Sequence, residues 1–200
     1  MKLKSTIKSL LSNNRIVFEF LSVSFAVFLA LAANQCRDNY NNNQQASKSL
    51  NNIRIELSEN KEIIEKLVPE HKKLLAFIDS VIPVFNVESE ADDDTASVDI
   101  SFQILSSTSW QTAKITQIIT NMDLDLVSNI SKCYQFQAYY EELIKNYIHK
   151  NLFSLNDDIT LETLKNIQKF LNSVIPMEEN LLTYYDTMIN KLIDPDKLRK

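Results

Sequence analysis

IVFEFLSVSFAVFLALAA, residues 16–33, is the longest apolar run in the chain. Eleven of its eighteen residues are Val, Ile, Leu or Phe. As a helix it rises ~27 Å, enough to cross a hydrocarbon core of ~30 Å. Its only charge, Glu19, falls in the first turn, where an acid is far less costly than at mid-bilayer. The run reads as a transmembrane helix over residues 16–34. Ahead of it, residues 1–15 form a basic leader with Lys2, Lys4, Lys8 and Arg15 and no acid. Beyond it, Arg37, Lys48 and Arg54 are sparser and Asp38 sits among them. That asymmetry keeps the N-terminus in the cytoplasm and exports the body.

A cleaved signal peptide is the competing reading of the same run, because Ala30-Leu31-Ala32 has a small-x-small pattern. The long leader and the carboxylate of Glu19 favour a retained anchor. Within the span, Ser22, Ala26 and Ala30 recur every four residues, with Glu19 near the same face. Such a stripe lets a second helix approach closely, which makes these four residues the candidate transmembrane packing surface.

The 200 residues carry a net charge of −5 and show no basic cluster interleaved with aromatics, so nucleic acid is not an expected partner. Glycine is absent. That excludes phosphate-cradling glycine loops, dinucleotide fingerprints and the nucleophile elbow, and it favours helices joined by Asn, Asp, Ser and Pro. The two cysteines, Cys36 and Cys133, lie at the membrane face and in an expected helix. Free thiols, or a Cys36 disulfide between two copies, are expected rather than an internal bridge.

After a polar stretch rich in Asn and Gln, Leu50, Ile53, Leu57, Asn60, Ile64, Leu67, His71, Leu74, Ile78 and Val81 follow at unbroken steps of three and four. This is a heptad seam, and it predicts a juxtamembrane stalk helix over residues 35–82. Asn60 and His71 are its polar positions, of a kind that fixes register or, more often, is partly solvated. Pro69 falls inside the seam and predicts a kink, with a break near Val68 as the alternative. Pro83 is expected to stop the helix. Residues 83–107 read as an acidic loop, where Asp92-Asp93-Asp94 lacks the spacing of a calcium loop.

From residue 108 to 194 the helical period returns as a bundle, followed by a tail over 195–200. A short helix holds Trp110, Ala113, Ile115, Ile118 and Ile119, capped by Ser107 or Thr108. A longer one starts at Asp123 or Asp125 and carries Leu126, Ile130, Cys133, Tyr134, Gln137, Tyr140, Ile144 and Tyr147 on one face. A third is capped at Asn156-Asp157-Asp158, and a fourth begins at Pro176. The predicted fold is all-α: a membrane helix continuing into a long stalk, with three to four C-terminal helices folding back on it.

Chemistry-bearing patterns are scarce. His71 and His149 are the only histidines, and neither follows a glutamate at the spacing of a helical metal site. Glu141-Glu142 and Glu178-Glu179 are neighbours that diverge around a helix and read as solvated. No metal or cofactor is expected, and no catalytic residue stands out. Trp110, Tyr134, Tyr140, Tyr147, Tyr184 and Tyr185 are the candidate pocket lining, against the plainer reading of half-buried core with wet hydroxyls.

Glu19 opening the span, Ala30-Leu31 before its end, Asn34 and the polar helix that follows resemble uncharacterised bacterial families of single-span envelope proteins. Trp110 through Ala113 and the helix from Asp123 to Tyr140 are similar to theirs as well. The resemblance implies inner-membrane anchoring with a helical domain in the periplasm, and no activity. The expected role is non-enzymatic: protein interaction or scaffolding at the envelope, with a second copy or another envelope protein as partner. The alternative is a ligand-sensing bundle with a pocket between helices.

Overall fold

The computed structural model describes residues 3–85, 100–151 and 160–193, and all the regular structure there is helical. The elements are α1 (Leu3–Phe85), α2 (Thr108–Ile115), a 3₁₀ turn (Ile118–Asn121), α3 (Leu124–Asn151) and α4 (Leu161–Ile193). The chain divides into two compact units, Met1–Gln45 and Ala46–Lys200, and α1 contributes to both.

In the first unit the apolar run is helical and its large apolar side chains from Val17 to Leu31 are exposed. Phe18 is 72 % exposed and Phe28 73 % exposed. None of the most apolar 18-residue window is buried, and this is the one helix among the described residues long and apolar enough to cross a membrane. After it, Asn34 donates to Asp38 at 3.2 Å, Gln35 to Asn39 at 3.1 Å and Arg37 to Asn34 at 3.1 Å. Such pairs one turn apart support a helix that has no apolar face of its own.

The second unit is built on the heptad seam. Ala46, Ile53, Leu57, Ile64, Leu67 and Ile78 of α1 are buried, with Leu50, Leu74 and Val81 packed at the margin. Side-chain bonds fix the directions of the helices. Glu56 meets Tyr134 and Asn60 meets Gln137, so α1 and α3 run parallel. Asp79 meets Gln168, His71 meets Glu178 and Lys61 meets Asp186, so α4 runs back along α1. The α4 stripe of Leu164, Ile167, Leu171, Val174, Leu181, Tyr185, Met188 and Leu192 closes the core.

Among the described residues, three prolines sit inside helices: Pro69 and Pro83 in α1, and Pro176 in α4. The helix does not break at Val68, it continues past Pro83 to Phe85, and the expected third and fourth helices are one. The cause is common to all three sites. Proline deprives the carbonyl four residues earlier of its partner. Here those carbonyls belong to Glu65, Asp79 and Asn172, all on the exposed face, where water can take the place of the missing N–H.

Local chemistry sets the other ends. Asp123 caps α3, its Oδ1 accepting the Leu126 amide at 2.9 Å. Thr160 caps α4, its hydroxyl accepting the Thr163 amide at 3.1 Å. The expected cap at residues 156–158 lies outside the described residues. Ile118 and Ile119 fall in the 3₁₀ turn and not in α2, because Gln117 takes a left-handed φ of 57° and ends the helix. Between α1 and α2, residues 100–107 form an extended strap with no regular structure, and Leu105 is buried in the core.

Candidate functional site

The heptad seam and the inward stripes of α3 and α4 carry polar residues at core positions, and these meet in three layers along the bundle. All three contact the strap or its junction with α2.

The first layer is centred on Glu56, which is 4 % exposed. Its Oε1 accepts the Tyr134 hydroxyl at 2.6 Å, and its Oε2 accepts the Ser106 hydroxyl and the Ser109 amide at 2.8 Å each. Ser107, at the start of α2, makes no side-chain cap of its own. Glu56 therefore caps α2 from a different helix, placing negative charge where the α2 dipole favours it. Trp110 stacks on Tyr134 with ring centroids 5.8 Å apart.

The second layer is a ring of amides. Asn60 accepts the Ser106 amide through Oδ1 and donates to the Ser106 carbonyl through Nδ2, both at 2.8 Å. The same Nδ2 donates to Gln137 Oε1 at 3.2 Å, and Gln137 Nε2 donates to the Ser106 carbonyl at 3.1 Å. The Tyr185 hydroxyl donates to Gln137 Oε1 at 3.0 Å.

The third layer is ionic. His71 and Glu178 are 1 % and 0 % exposed. His71 Nδ1 lies 3.0 Å from Glu178 Oε1 and 3.1 Å from Oε2, and Nε2 lies 3.0 Å from the Ser101 carbonyl. The Tyr140 hydroxyl donates to Glu178 Oε1 at 3.1 Å. Both ring nitrogens face acceptors, so the ring is satisfied only as an imidazolium donating from both. Burial opposes that charge, but the hydrogen bond and charge of Glu178, with the Ser101 carbonyl, outweigh it and raise the His71 pKa above its ordinary value.

Burial also pushes the tyrosine hydroxyls far above their ordinary range. Glu56 adds to the effect at Tyr134 and Glu178 at Tyr140, so both remain donors at any physiological pH. Among the described residues, no buried side-chain nitrogen or oxygen lacks a partner.

The spacing of the layers matches the strap. From Asn60 to His71, α1 rises ~16 Å. From Ser106 to Ser101, five extended residues span about the same ~16 Å. The site is a row of side chains that hold an extended piece of main chain through its backbone groups.

The seam positions Leu50 and Leu74 are partly buried, Ile53, Leu57, Ile64, Leu67 and Ile78 are core, and Asn60 and His71 belong to the layers. Both polar positions are buried and bonded, not partly solvated. Tyr134, Tyr140 and Tyr185 are buried with hydroxyls bonded to protein rather than water, Trp110 is buried, and Tyr184 is 44 % exposed. Tyr147 stacks on Phe170 at 3.9 Å between centroids. The six aromatics are thus divided between the layers and the packing around them. Glu19, Ser22, Ala26 and Ala30 are exposed on the first unit, where Ser22 bonds back to the Phe18 carbonyl at 2.9 Å.

Glu178 corrects the sequence reading. It was expected to be solvated with Glu179, yet only Glu179 is exposed, where it pairs with Lys72 at 2.7 Å. Its register could have revealed it: Glu178 stands four residues after Val174 and three before Leu181, in the middle of the inward stripe. Glu56 likewise stands three after Ile53 and four before Asn60. No comparable signal marks Ser101 or Ser106, which contribute mainly backbone groups.

No residue group that could hold a metal ion occurs among the described residues. Compared with protein-family models, curated proteins and solved structures, the chain matches none.

Proposed function

We propose that this chain is a single-span protein, anchored by its N-terminal helix in a bacterial inner membrane. Its helical module faces the periplasm and acts without catalysis, as a protein-binding or scaffolding element. The observation that carries the reading is that none of the most apolar 18-residue window of this helix is buried. A long apolar helix whose apolar side chains are exposed needs lipid around it. The basic leader supports the orientation. The mutual saturation of the buried polar groups supports a structural role for the module's interior.

The ligand-sensing alternative draws less support, because the Tyr134, Tyr140 and Tyr185 hydroxyls are committed to Glu56, Glu178 and Gln137. A second copy or another envelope protein is the proposed partner, and Cys36, exposed just beyond the span, reports on the first.

The test is alkaline extraction of membranes from cells expressing the full chain, with a compartment-specific reporter fused after Lys200. Retention in the pellet, release by detergent and a reporter active only outside the cytoplasm are expected. A soluble mature form starting near Asn34 would overturn the anchor, and a cytoplasmic reporter signal would overturn the orientation.

A further inference from the structure

Four separate segments meet at the His71–Glu178 pair. α1 supplies the ring, α4 supplies Glu178, α3 supplies Tyr140, and the strap supplies the Ser101 carbonyl. The strap's two ends are held differently. Its Ser106 end is held by neutral amides and by Glu56, which accepts from hydroxyls and an amide. Its Ser101 end is packed on the core through Ile100 and Phe102, the latter edge-on to Phe170 at 5.7 Å, and its one polar hold there is His71, a donor that exists on both ring nitrogens only while the ring is charged. We propose that His71 and Glu178 form a proton-operated catch: the doubly donating imidazolium holds the strap's backbone on the bundle at Ser101, and loss of one proton to solvent breaks that hold and loosens the strap's Ser101 end.

The chemistry determines which bond is lost. A neutral ring keeps one N–H. If that hydrogen leaves Nδ1, a lone pair faces the Glu178 carboxylate, a full negative charge in a site shut from water. If it leaves Nε2, a lone pair faces only the dipole of the Ser101 carbonyl. The second arrangement is the less costly, so deprotonation removes the bond to the strap and keeps the bond to Glu178. Tyr140 cannot replace the lost charge, since it is neutral and already donates to Glu178 Oε1. Among the described residues, Glu70, beside His71 on α1, also favours the protonated ring. The neighbouring Lys72 is paired with Glu179 on the surface. The Ser106 end contains no group of this kind, so the strap loosens at one end only as pH rises.

The experiment uses the full chain in detergent micelles. Long-range proton–nitrogen correlation spectra follow both histidines, and His149→Gln assigns His71. In a second sample, a nitroxide is attached to Ile104→Cys in a Cys36→Ser background. Ile104 is 91 % exposed in the strap and Cys133 is buried, so the label reads the strap alone. From about pH 5 to about pH 10, a range that brackets histidine titration, His71 should pass from two protonated nitrogens to one, on Nδ1. The nitroxide should pass from an immobile to a partly mobile spectrum with the same midpoint. In His71→Gln the label's pH dependence should vanish. The catch is overturned by label mobility that stays constant while His71 titrates, by a neutral ring protonated on Nε2, or by His71 failing to titrate in this range. A label transition that persists unchanged in His71→Gln overturns it as well. The wild-type comparison of the two midpoints stands even where the variant folds poorly.

Discussion

Asn60 and Ser106 exchange two hydrogen bonds of 2.8 Å, the side-chain amide of α1 reading both backbone groups of the strap residue. Only Asn or Gln can donate and accept in this paired way, and Gln is one methylene too long for the spacing. Asn60→Ala strands the Ser106 amide and weakens both the Ser106 carbonyl and Gln137. Each buried group left unpaired costs about 1–3 kcal/mol, so the module should lose on the order of 3 kcal/mol. Urea unfolding of the full chain in micelles should show a lower midpoint with an unchanged slope. A loss under about 0.5 kcal/mol, the range of ordinary surface substitutions, would mean that the pair does not hold the strap.

Stability should also fall with rising pH. His71 titrates near its ordinary 6.5 in the unfolded chain and higher in the folded one. Between those values the native state binds a proton that the unfolded state does not, so each increment of pH favours unfolding. The contribution of the pair is whole below about pH 6.5 and is lost as pH rises through the folded pKa. Urea midpoints measured across this range should decline, and His71→Gln should flatten the decline. A midpoint that climbs over the same range would contradict the charged ring.

Much of this was legible in the sequence, and for a physical reason. Helical periodicity depends on burial, so Ile53, Leu57, Ile64 and Ile78 announced their face at steps of three and four, and Asn60 and His71 shared their register. Pro69 was expected inside one helix, as it is, but Pro83 and Pro176 were misread as a stop and a start, because proline's effect depends on which way the unpaired carbonyl points, a property of the assembled bundle. Glu178 was misread because a carboxylate's burial depends on a partner 107 residues away, and spacing along one helix does not reveal His71 on another. The strap was the least legible part. It is recognised by its backbone at Ser101 and Ser106, and backbone groups are the same in every residue.

Pro176 tests the account of the helices. It lies in the interior of α4 with its side chain exposed. Alanine in its place restores an N–H for the Asn172 carbonyl and removes the ring clash, at a site where proline is worth up to about 3 kcal/mol less than alanine. Pro176→Ala should raise the urea midpoint, corresponding to about 1–3 kcal/mol of added stability once local adjustment in the native helix is allowed for. A destabilised variant would show that a break at residue 176 is required by the packing of α4, contrary to the continuous helix.

The two thiols should differ sharply in reactivity. Cys133 is 0 % exposed, and burial pushes its pKa up to about 12, so almost none of it is thiolate at neutral pH. Cys36 is exposed on the first unit. Treating the native full chain with a maleimide should modify one thiol per chain quickly, and a second only after denaturation. Peptide mapping should place the first label on Cys36. Rapid labelling of both would mean that the α1–α3–α4 core opens around Cys133 under native conditions. The same selectivity makes Cys36 a probe of the proposed homodimer. Two Cys36 residues can be bridged only where their Cα atoms come within about 7 Å, so mild oxidation in membranes should give a disulfide-linked dimer that Cys36→Ser abolishes. A crosslink that survives Cys36→Ser would have to involve Cys133, and the buried thiol assigned here would be wrong.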